Sequence, residues 1–158
     1  MPRHDARTHY EAMLDIGYGY HFNDLCERLY RRVDFVFGAI GLIGGCAAAT
    51  ALLPTSGTAV AIAGITLAGN AIIERLIGAS ARAERHNEFK RRYWALRAEA
   101  TGLTTTDLDR KLAQLQADGP NGLNGLASVA YNANVLAAGR DDATIPTSRW
   151  SRLLACLA

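Results

Sequence analysis

Hydrophobic and polar residues divide this chain into a long uncharged middle and two charged, periodic flanks. The stretch from Phe35 to Ile73 has no charged side chain, and Pro54-Thr55-Ser56-Gly57 interrupts it once. A helix rises about 1.5 Å per residue and the hydrocarbon of a bilayer is about 30 Å thick, so roughly 20 apolar residues can cross it. The pattern therefore predicts two spans, residues 33–53 and 55–73, joined by a tight turn.

The flanks show the three- and four-residue spacing of amphipathic helices. A helix over residues 8–32 is predicted to run straight into the first span, and a helix over 74–100 is predicted to continue from the second. Two short helices follow at 106–117 and 123–138, the first opened by a Thr106-x-x-Asp109 capping box. The predicted fold is all-α: a transmembrane helical hairpin with long cytoplasmic helical extensions, in one unit over residues 1–139.

Composition leaves a soluble alternative open. The two spans are rich in Ala, Gly and Thr, and such residues favour membrane insertion less than Leu, Ile or Phe do. A buried, Ala-rich hairpin at the centre of a soluble helical bundle would have the same pattern. We favour the membrane, because the spans carry no polar residue larger than Thr or Asn at helical spacing.

The distribution of basic residues predicts the orientation. Arg28, Arg31 and Arg32 precede the first span, a basic segment follows the second, and the turn between them has no basic residue. By the positive-inside rule, both termini lie in the cytoplasm. The formal net charge of only +2 does not suggest a nucleic-acid binder.

Small residues within the spans predict close helix packing, since helices in lipid associate through backbone approach and interhelical hydrogen bonds. These residues either pack the two spans of one hairpin together or also join copies into a homo-oligomer. Three polar residues are predicted at depth: two threonines whose hydroxyls can return to the backbone of their own helix, and an asparagine that hydrogen-bonds across helices or reaches the interface, with a pore wall as the alternative role. The candidate packing residues are Gly38, Gly41, Gly45, Ala59, Ala63, Gly64 and Ala68, and the polar ones are Thr50, Thr66 and Asn70.

Candidate chemistry is sparse. The glycines from Gly38 to Gly45 lack the preceding strand and the following lysine of a phosphate-binding loop. The histidines show no metal-ligand spacing, and His86 is predicted to be a solvated or interfacial residue of a charged helix. We therefore expect no catalytic residue, no metal and no cofactor, and hence no enzymatic activity.

The last residues, 140–158, form a basic-aromatic tail. It begins without helical pattern, and Arg149-Trp150-Ser151-Arg152-Leu153-Leu154 then mixes basic and bulky apolar residues. This mixture is typical of a helix at a membrane surface, and equally of a short packing helix. The sequence does not separate these two interpretations.

Several short motifs in order resemble the SLATT domain, a two-transmembrane effector module of bacterial conflict systems. The resemblance covers most of the chain, from Tyr10 to Gly139. A Gly-Pro-Asn-Gly-Leu-Asn-Gly stretch before the last helix departs from it, and the tail is not covered. The motifs are Tyr20-His21, Leu29-Tyr30-Arg31-Arg32, Ala83-Glu84-Arg85-His86-Asn87-Glu88-Phe89, Tyr93 with Leu96-Arg97, and Ala130-Tyr131-Asn132.

The resemblance implies an oligomeric effector in the bacterial inner membrane that forms pores or disrupts the bilayer in anti-phage or conflict defence. Its trigger would be a separate sensor protein, a nucleotide signal at the cytoplasmic helices, or oligomerisation itself. The alternative is a non-perforating scaffold whose hairpin anchors a cytoplasmic bundle, with Phe89, Tyr93 and Leu96 as its partner-binding residues. A holin-like phage protein is a further variant of the pore hypothesis.

Overall fold

The chain is all-α. The computed structural model describes residues 7–50 and 57–158, and helix is the only regular secondary structure in those two ranges. Short 3₁₀ turns at Ala100–Gly102, Asn124–Leu126 and Asp141–Ala143 connect the longer helices. The α-helices are α1 (His9–Thr50), α2 (Gly57–Ile77), α3 (Ala79–Glu99), α4 (Thr105–Ala117), α5 (Ala127–Ala137) and α6 (Arg149–Leu157).

The second half of α1 and the whole of α2 form an antiparallel pair, which we call the hairpin (residues 35–50 and 57–77). Two contacts fix its register: Asn70 reaches the backbone of Phe37, and Leu67 lies against Gly44. Across residues 7–50 and 57–158, no helix is both long enough and apolar enough to cross a membrane.

A glycine separates the hairpin from the helix that follows it. The predicted helix over 74–100 does not continue unbroken from the second span, because α2 extends to Ile77 and α3 begins anew at Ala79. Between them Gly78 has a φ of 58°, a left-handed conformation that glycine adopts without the steric cost of a Cβ. The chain can therefore change direction where the uncharged stretch has ended.

The remaining helices form a bundle on the first half of α1, with α3 lying along it and α4, α5 and α6 around the pair. Burial of apolar side chains, at about 25 cal/mol per Å², drives this packing. Two hydrophobic clusters divide the core. One consists of Ala12, Ile16, Phe89, Tyr93, Leu96, Ala100, Leu108, Leu112 and Leu115. The other contains Leu25, Cys26, Leu29, Tyr30, Ala79, Ala83, Leu126, Ala130 and Ala158.

Two glycines let α3 and α5 approach α1 closely. A Cβ at Gly19 would lie 2.3 Å from the Tyr93 ring, and one at Gly17 would lie 2.2 Å from Oδ1 of Asn134. In sequence these glycines weaken helix propensity by about 1 kcal/mol each. The helix nevertheless runs through both without interruption, and the room they leave is filled by side chains from its neighbours.

The two short helices begin and end close to the predicted positions, with one correction. The Thr-x-x-Asp cap is formed by Thr104 rather than Thr106: its hydroxyl accepts a hydrogen bond from the Asp107 N–H, so α4 begins at Thr105. The predicted helix over 123–138 is a 3₁₀ turn followed by α5. Its end is marked by Gly139, whose φ is 71°.

The tail is ordered and ends in a helix. The Asn132 side chain of α5 makes two hydrogen bonds to the tail. It donates to the Ile145 carbonyl at 2.8 Å and accepts from the Ile145 N–H at 2.9 Å. The hydroxyl of Ser148 then caps α6 by accepting a hydrogen bond from the Ser151 N–H. One face of α6 packs on the 3₁₀ turn at Asn124–Leu126, on α5 and on α1.

Candidate functional site

The hairpin leaves large apolar side chains uncovered on both of its helices. Phe35, Ile65 and Leu76 are 76%, 74% and 77% exposed, respectively. An exposed apolar surface of this kind marks a place where lipid or another protein chain binds. Its other members are Val36, Ile40, Leu42, Ile43, Ile62, Ile72 and Ile73.

Within the hairpin, one predicted glycine and one predicted polar residue meet at the helix interface. The Asn70 side-chain N–H donates to the Phe37 carbonyl at 3.1 Å. A Cβ at Gly41 would lie 3.6 Å from that amide nitrogen. The absence of a side chain at Gly41 therefore gives the Asn70 amide room to reach the backbone of α1. The Asn70 Oδ1 is buried and has no hydrogen-bond partner among the described residues. Asn70 thus acts as an interhelical hydrogen-bonding group.

A glycine that the sequence patterns did not single out forms the closer contact. A Cβ at Gly44 would lie 2.6 Å from Leu67, which therefore occupies the space that glycine leaves. The predicted packing residues of this segment are Gly41 and the neighbouring Gly45 instead. Helix rotation decides which of two adjacent glycines faces the partner, and spacing alone does not supply that rotation.

Other predicted packing residues face away from the partner helix. A Cβ at Gly38, Gly45 or Gly64 would meet nothing within 4 Å among the described residues. Ala68 is likewise exposed, and the Thr66 hydroxyl donates to the Ile62 carbonyl one turn earlier in α2. The side chains of Thr50, Ala59 and Ala63 lie outside the described part of the structure.

The residues predicted to bind a partner in the scaffold hypothesis are not on the surface. Phe89 is fully buried, and Tyr93 and Leu96 are each 6% exposed. All three belong to the core cluster that joins α3 to α1 and α4. Their helical spacing marks the inward face of α3, so this prediction of a binding surface is corrected to one of core packing.

A buried polar layer lies in the bundle, and its central residue corrects a second prediction. His86 is 1% exposed rather than solvated. Its Nδ1 is 2.8 Å from Oδ1 of Asn23, whose amide N–H donates in turn to the Gly19 carbonyl. The imidazole also stacks on Tyr30, with 5.7 Å between ring centroids. Burial, with a smaller contribution from the Arg82 guanidinium, lowers the pKa of His86 to about 4, against the opposing effect of Glu27.

An ion-pair network borders this layer. Glu27 is 6% exposed and accepts hydrogen bonds from Lys90 and from Arg31, whose Nε is 2.8 Å from the carboxylate. Lys90 also donates to Asp24 at 3.3 Å. Burial alone would raise the pKa of Glu27, but the Lys90 and Arg31 hydrogen bonds outweigh it and lower the pKa. Helical spacing places Glu27 on the solvent side, and only the approach of α3 reveals that Lys90 covers it.

The described residues hold no group of three or more His, Cys, Asp or Glu side chains placed to bind a metal ion. Comparison with protein families, with curated proteins and with solved structures finds no match to this chain. The candidate functional site is therefore defined by geometry: an exposed apolar hairpin joined to a bundle with a well-packed core.

Proposed function

We propose that this chain is a membrane-inserted effector that assembles through its hairpin and perforates or disrupts the bilayer, in bacterial conflict defence as in the SLATT domain it resembles. In this proposal the hairpin is transmembrane, and the bundle lies in the cytoplasm with both termini. One observation carries it: large apolar side chains are exposed both on α2 and on the second half of α1, which pack against each other.

Lipid is the solvent that suits this surface. Burying an exposed Ile or Leu side chain stabilises by about 1.5–3 kcal/mol, so an uncovered hairpin would strongly favour an apolar surrounding. The side chains of Phe35 and Leu76 stand at the end of the hairpin nearest the bundle. Lipid insertion would cover them together with the rest of the apolar surface.

Open glycine faces supply the means of assembly. Gly41 and Gly44 are already used inside the hairpin, whereas a Cβ at Gly38, Gly45 or Gly64 would meet nothing within 4 Å in the part of the chain that the structure describes. In lipid, smooth small-residue surfaces allow helix backbones of neighbouring chains to approach closely. A second hairpin seated on this outward row would form a homo-oligomer without disturbing the Asn70 contact.

The cysteines provide a direct test of assembly. Cys46 is exposed on the hairpin, Cys26 is buried, and Cys156 is exposed on α6. A Cys156→Ser variant therefore keeps Cys46 as its sole exposed thiol. We expect oxidative crosslinking in vesicles of phosphatidylethanolamine and phosphatidylglycerol to give dimers, with Cys46→Ser as the negative control.

Dye release from the same vesicles tests perforation. Gly45→Leu fills the outward face, and a loss of about 1 kcal/mol per contact weakens association about fivefold, with a matching fall in release. Leu42→Ile alters an exposed apolar residue without filling a glycine face and serves as the control. Release by alkaline extraction would contradict insertion, and bound protein that leaves the vesicles intact would favour the scaffold.

A further inference from the structure

The C-terminal helix α6 has one packed face and one uncovered apolar face. On the packed face Ser151 is buried and Leu154 lies against Gly125, where a Cβ would be 2.6 Å from its Cδ1. On the other side Leu153 and Leu157 are 51% and 50% exposed, and Trp150, which is 62% exposed, lies at the edge, with its Nε1 3.3 Å from the Cβ position of Gly125. Their spacing places them in one stripe along the helix, which we call the α6 stripe.

Specific contacts hold the α6 stripe at the base of the hairpin. The Arg32 guanidinium Nη1 donates to the Cys156 carbonyl at 2.9 Å, which ties the last turn of α6 to α1. Leu157 also lines an apolar recess of about 250 Å³ with Val33, Val36 and Phe37. The stripe is thus continuous with the exposed apolar surface of the hairpin.

The cations around the α6 stripe are not neutralised. Among the described residues, Arg32, Arg149 and Arg152 form no ion pair with a carboxylate. Elsewhere in the bundle some arginines, such as Arg31 and Arg92, pair with carboxylates, while Arg82, Arg91 and Arg97 form no ion pair among the described residues either. An apolar stripe flanked by free arginines fits an anionic lipid surface, where acyl chains meet the stripe and phosphates meet the guanidinium groups.

We propose that α6 docks on the surface of a bilayer containing anionic phospholipid, with the α6 stripe at the boundary between headgroups and acyl chains. The inference rests on the proposed function, because hairpin insertion sets the depth of α6. With α6 lying along this boundary, Leu157, beside Phe37, would sit where the hairpin enters the bilayer, and Trp150 would lie at the level where headgroups meet acyl chains, where tryptophan is favoured.

Tryptophan fluorescence tests this arrangement. The chain has two tryptophans, and Trp94→Phe keeps the aromatic contact with Tyr20 while leaving Trp150 as the only one. On vesicles of phosphatidylcholine and phosphatidylglycerol with brominated acyl chains, we expect Trp150 to be quenched by the bromine and protected from acrylamide. On phosphatidylcholine alone, we expect protection to fall.

Charge reversal supplies the matched comparison. Arg152→Glu should raise the lipid concentration needed for half-maximal quenching at least about fivefold, since each arginine near an anionic surface contributes about 1 kcal/mol. Arg91→Glu makes the same change on α3, at an exposed arginine away from α6. It should leave the quenching curve of Trp150 nearly unchanged.

A second probe separates this inference from the proposed function. An environment-sensitive dye on Cys46, in a Cys156→Ser background, reports insertion of the hairpin. If the dye reports a lipid environment while acrylamide still quenches Trp150, then the hairpin is inserted but α6 is not docked. This result would overturn α6 docking and leave the effector proposal intact. A dye in water with Trp150 quenched by bromine would keep α6 docking as a surface contact and contradict insertion. If Trp150 becomes protected from acrylamide without lipid, and the protection increases with protein concentration, then the stripe binds a second copy of the chain instead.

Discussion

The hairpin and the bundle are both built from helices, yet they use large apolar side chains in opposite ways. In the bundle, Phe89 and Ile16 are completely buried. In the hairpin, Phe35 and Ile65 are about three-quarters exposed, at 76% and 74%. The bundle therefore carries its own solvent-excluding core, whereas the hairpin depends on its surroundings to cover its apolar surface.

Glycine and polar residues show the same division. The Tyr93 ring fills the space beside Gly19 in the bundle half of α1, whereas a Cβ at Gly38 in the hairpin half would meet no described residue within 4 Å. Buried polar groups in the bundle form a network around His86 and Glu27, while the hairpin's buried Asn70 donates to the Phe37 carbonyl and leaves its Oδ1 without a partner among the described residues. The first half of α1 thus packs against other helices of the same chain, whereas its second half has a surface available for contacts outside the chain.

The largest expected effect tests this division through apolar side chains. Phe89→Ala should lower the free energy of unfolding of the bundle by about 3–5 kcal/mol, because it opens a cavity beneath α3. Ile65→Ala, its hairpin counterpart, should change it by no more than about 0.5 kcal/mol. Urea denaturation in detergent micelles, followed by tryptophan fluorescence, measures both. Equal losses at the two positions would contradict the independence of the bundle core.

Sequence patterns predicted the helices well where one face is apolar. Leu108, Leu112 and Leu115 mark the inward face of α4, and all three are buried. The end of α5 at Gly139 was also predictable, since glycine takes the left-handed conformation that terminates a helix. The break at Gly78 was missed because the residues on both sides continue a helical pattern.

The polar layer could not be predicted because it depends on tertiary contacts. His86 and Asn23 are 63 residues apart in sequence. The sequence around each residue contains no pattern that indicates burial. Glu27 carries the i,i+4 spacing to Arg31 of an ordinary surface pair, and Lys90 of α3 turns it into a buried one. Similarly, the two faces of α6 became distinguishable only once Gly125 was found against Leu154.

The next expected effect is a pH dependence confined to the bundle. The folded pKa of His86 is lowered to about 4 by burial, while an unfolded histidine titrates near 6.5. The unfolded chain binds the extra proton, so this contribution to stability is complete above about pH 6.5 and is lost as pH falls toward 4. The loss should be on the order of 3 kcal/mol.

Urea denaturation at about pH 7.5 and pH 4.5 measures this effect. His86→Gln should reduce the difference between the two conditions, whereas His21→Gln, at a half-buried histidine with a smaller downward pKa shift, should reduce it less. Described hairpin residues from 35 to 50 and from 57 to 73 carry no Asp, Glu, His, Lys or Arg. Crosslinking through Cys46 should therefore be the same in both histidine variants.

The smallest expected effect concerns alanine substitutions at two glycines of α1. The change in the free energy of unfolding should have opposite signs in the bundle half and in the hairpin half. At Gly19 an added Cβ meets the Tyr93 ring at 2.3 Å, so Gly19→Ala should cost about 1–3 kcal/mol through overpacking. At Gly38 an added Cβ meets none of residues 7–50 and 57–158 within 4 Å, so Gly38→Ala should gain up to about 1 kcal/mol of helix propensity in detergent. Combining Gly19→Ala with Tyr93→Leu should recover part of the loss, because the smaller side chain yields space. If Gly38→Ala also destabilised the folded chain, its face of the hairpin would already be filled, and the outward glycine row would not be free for a second copy.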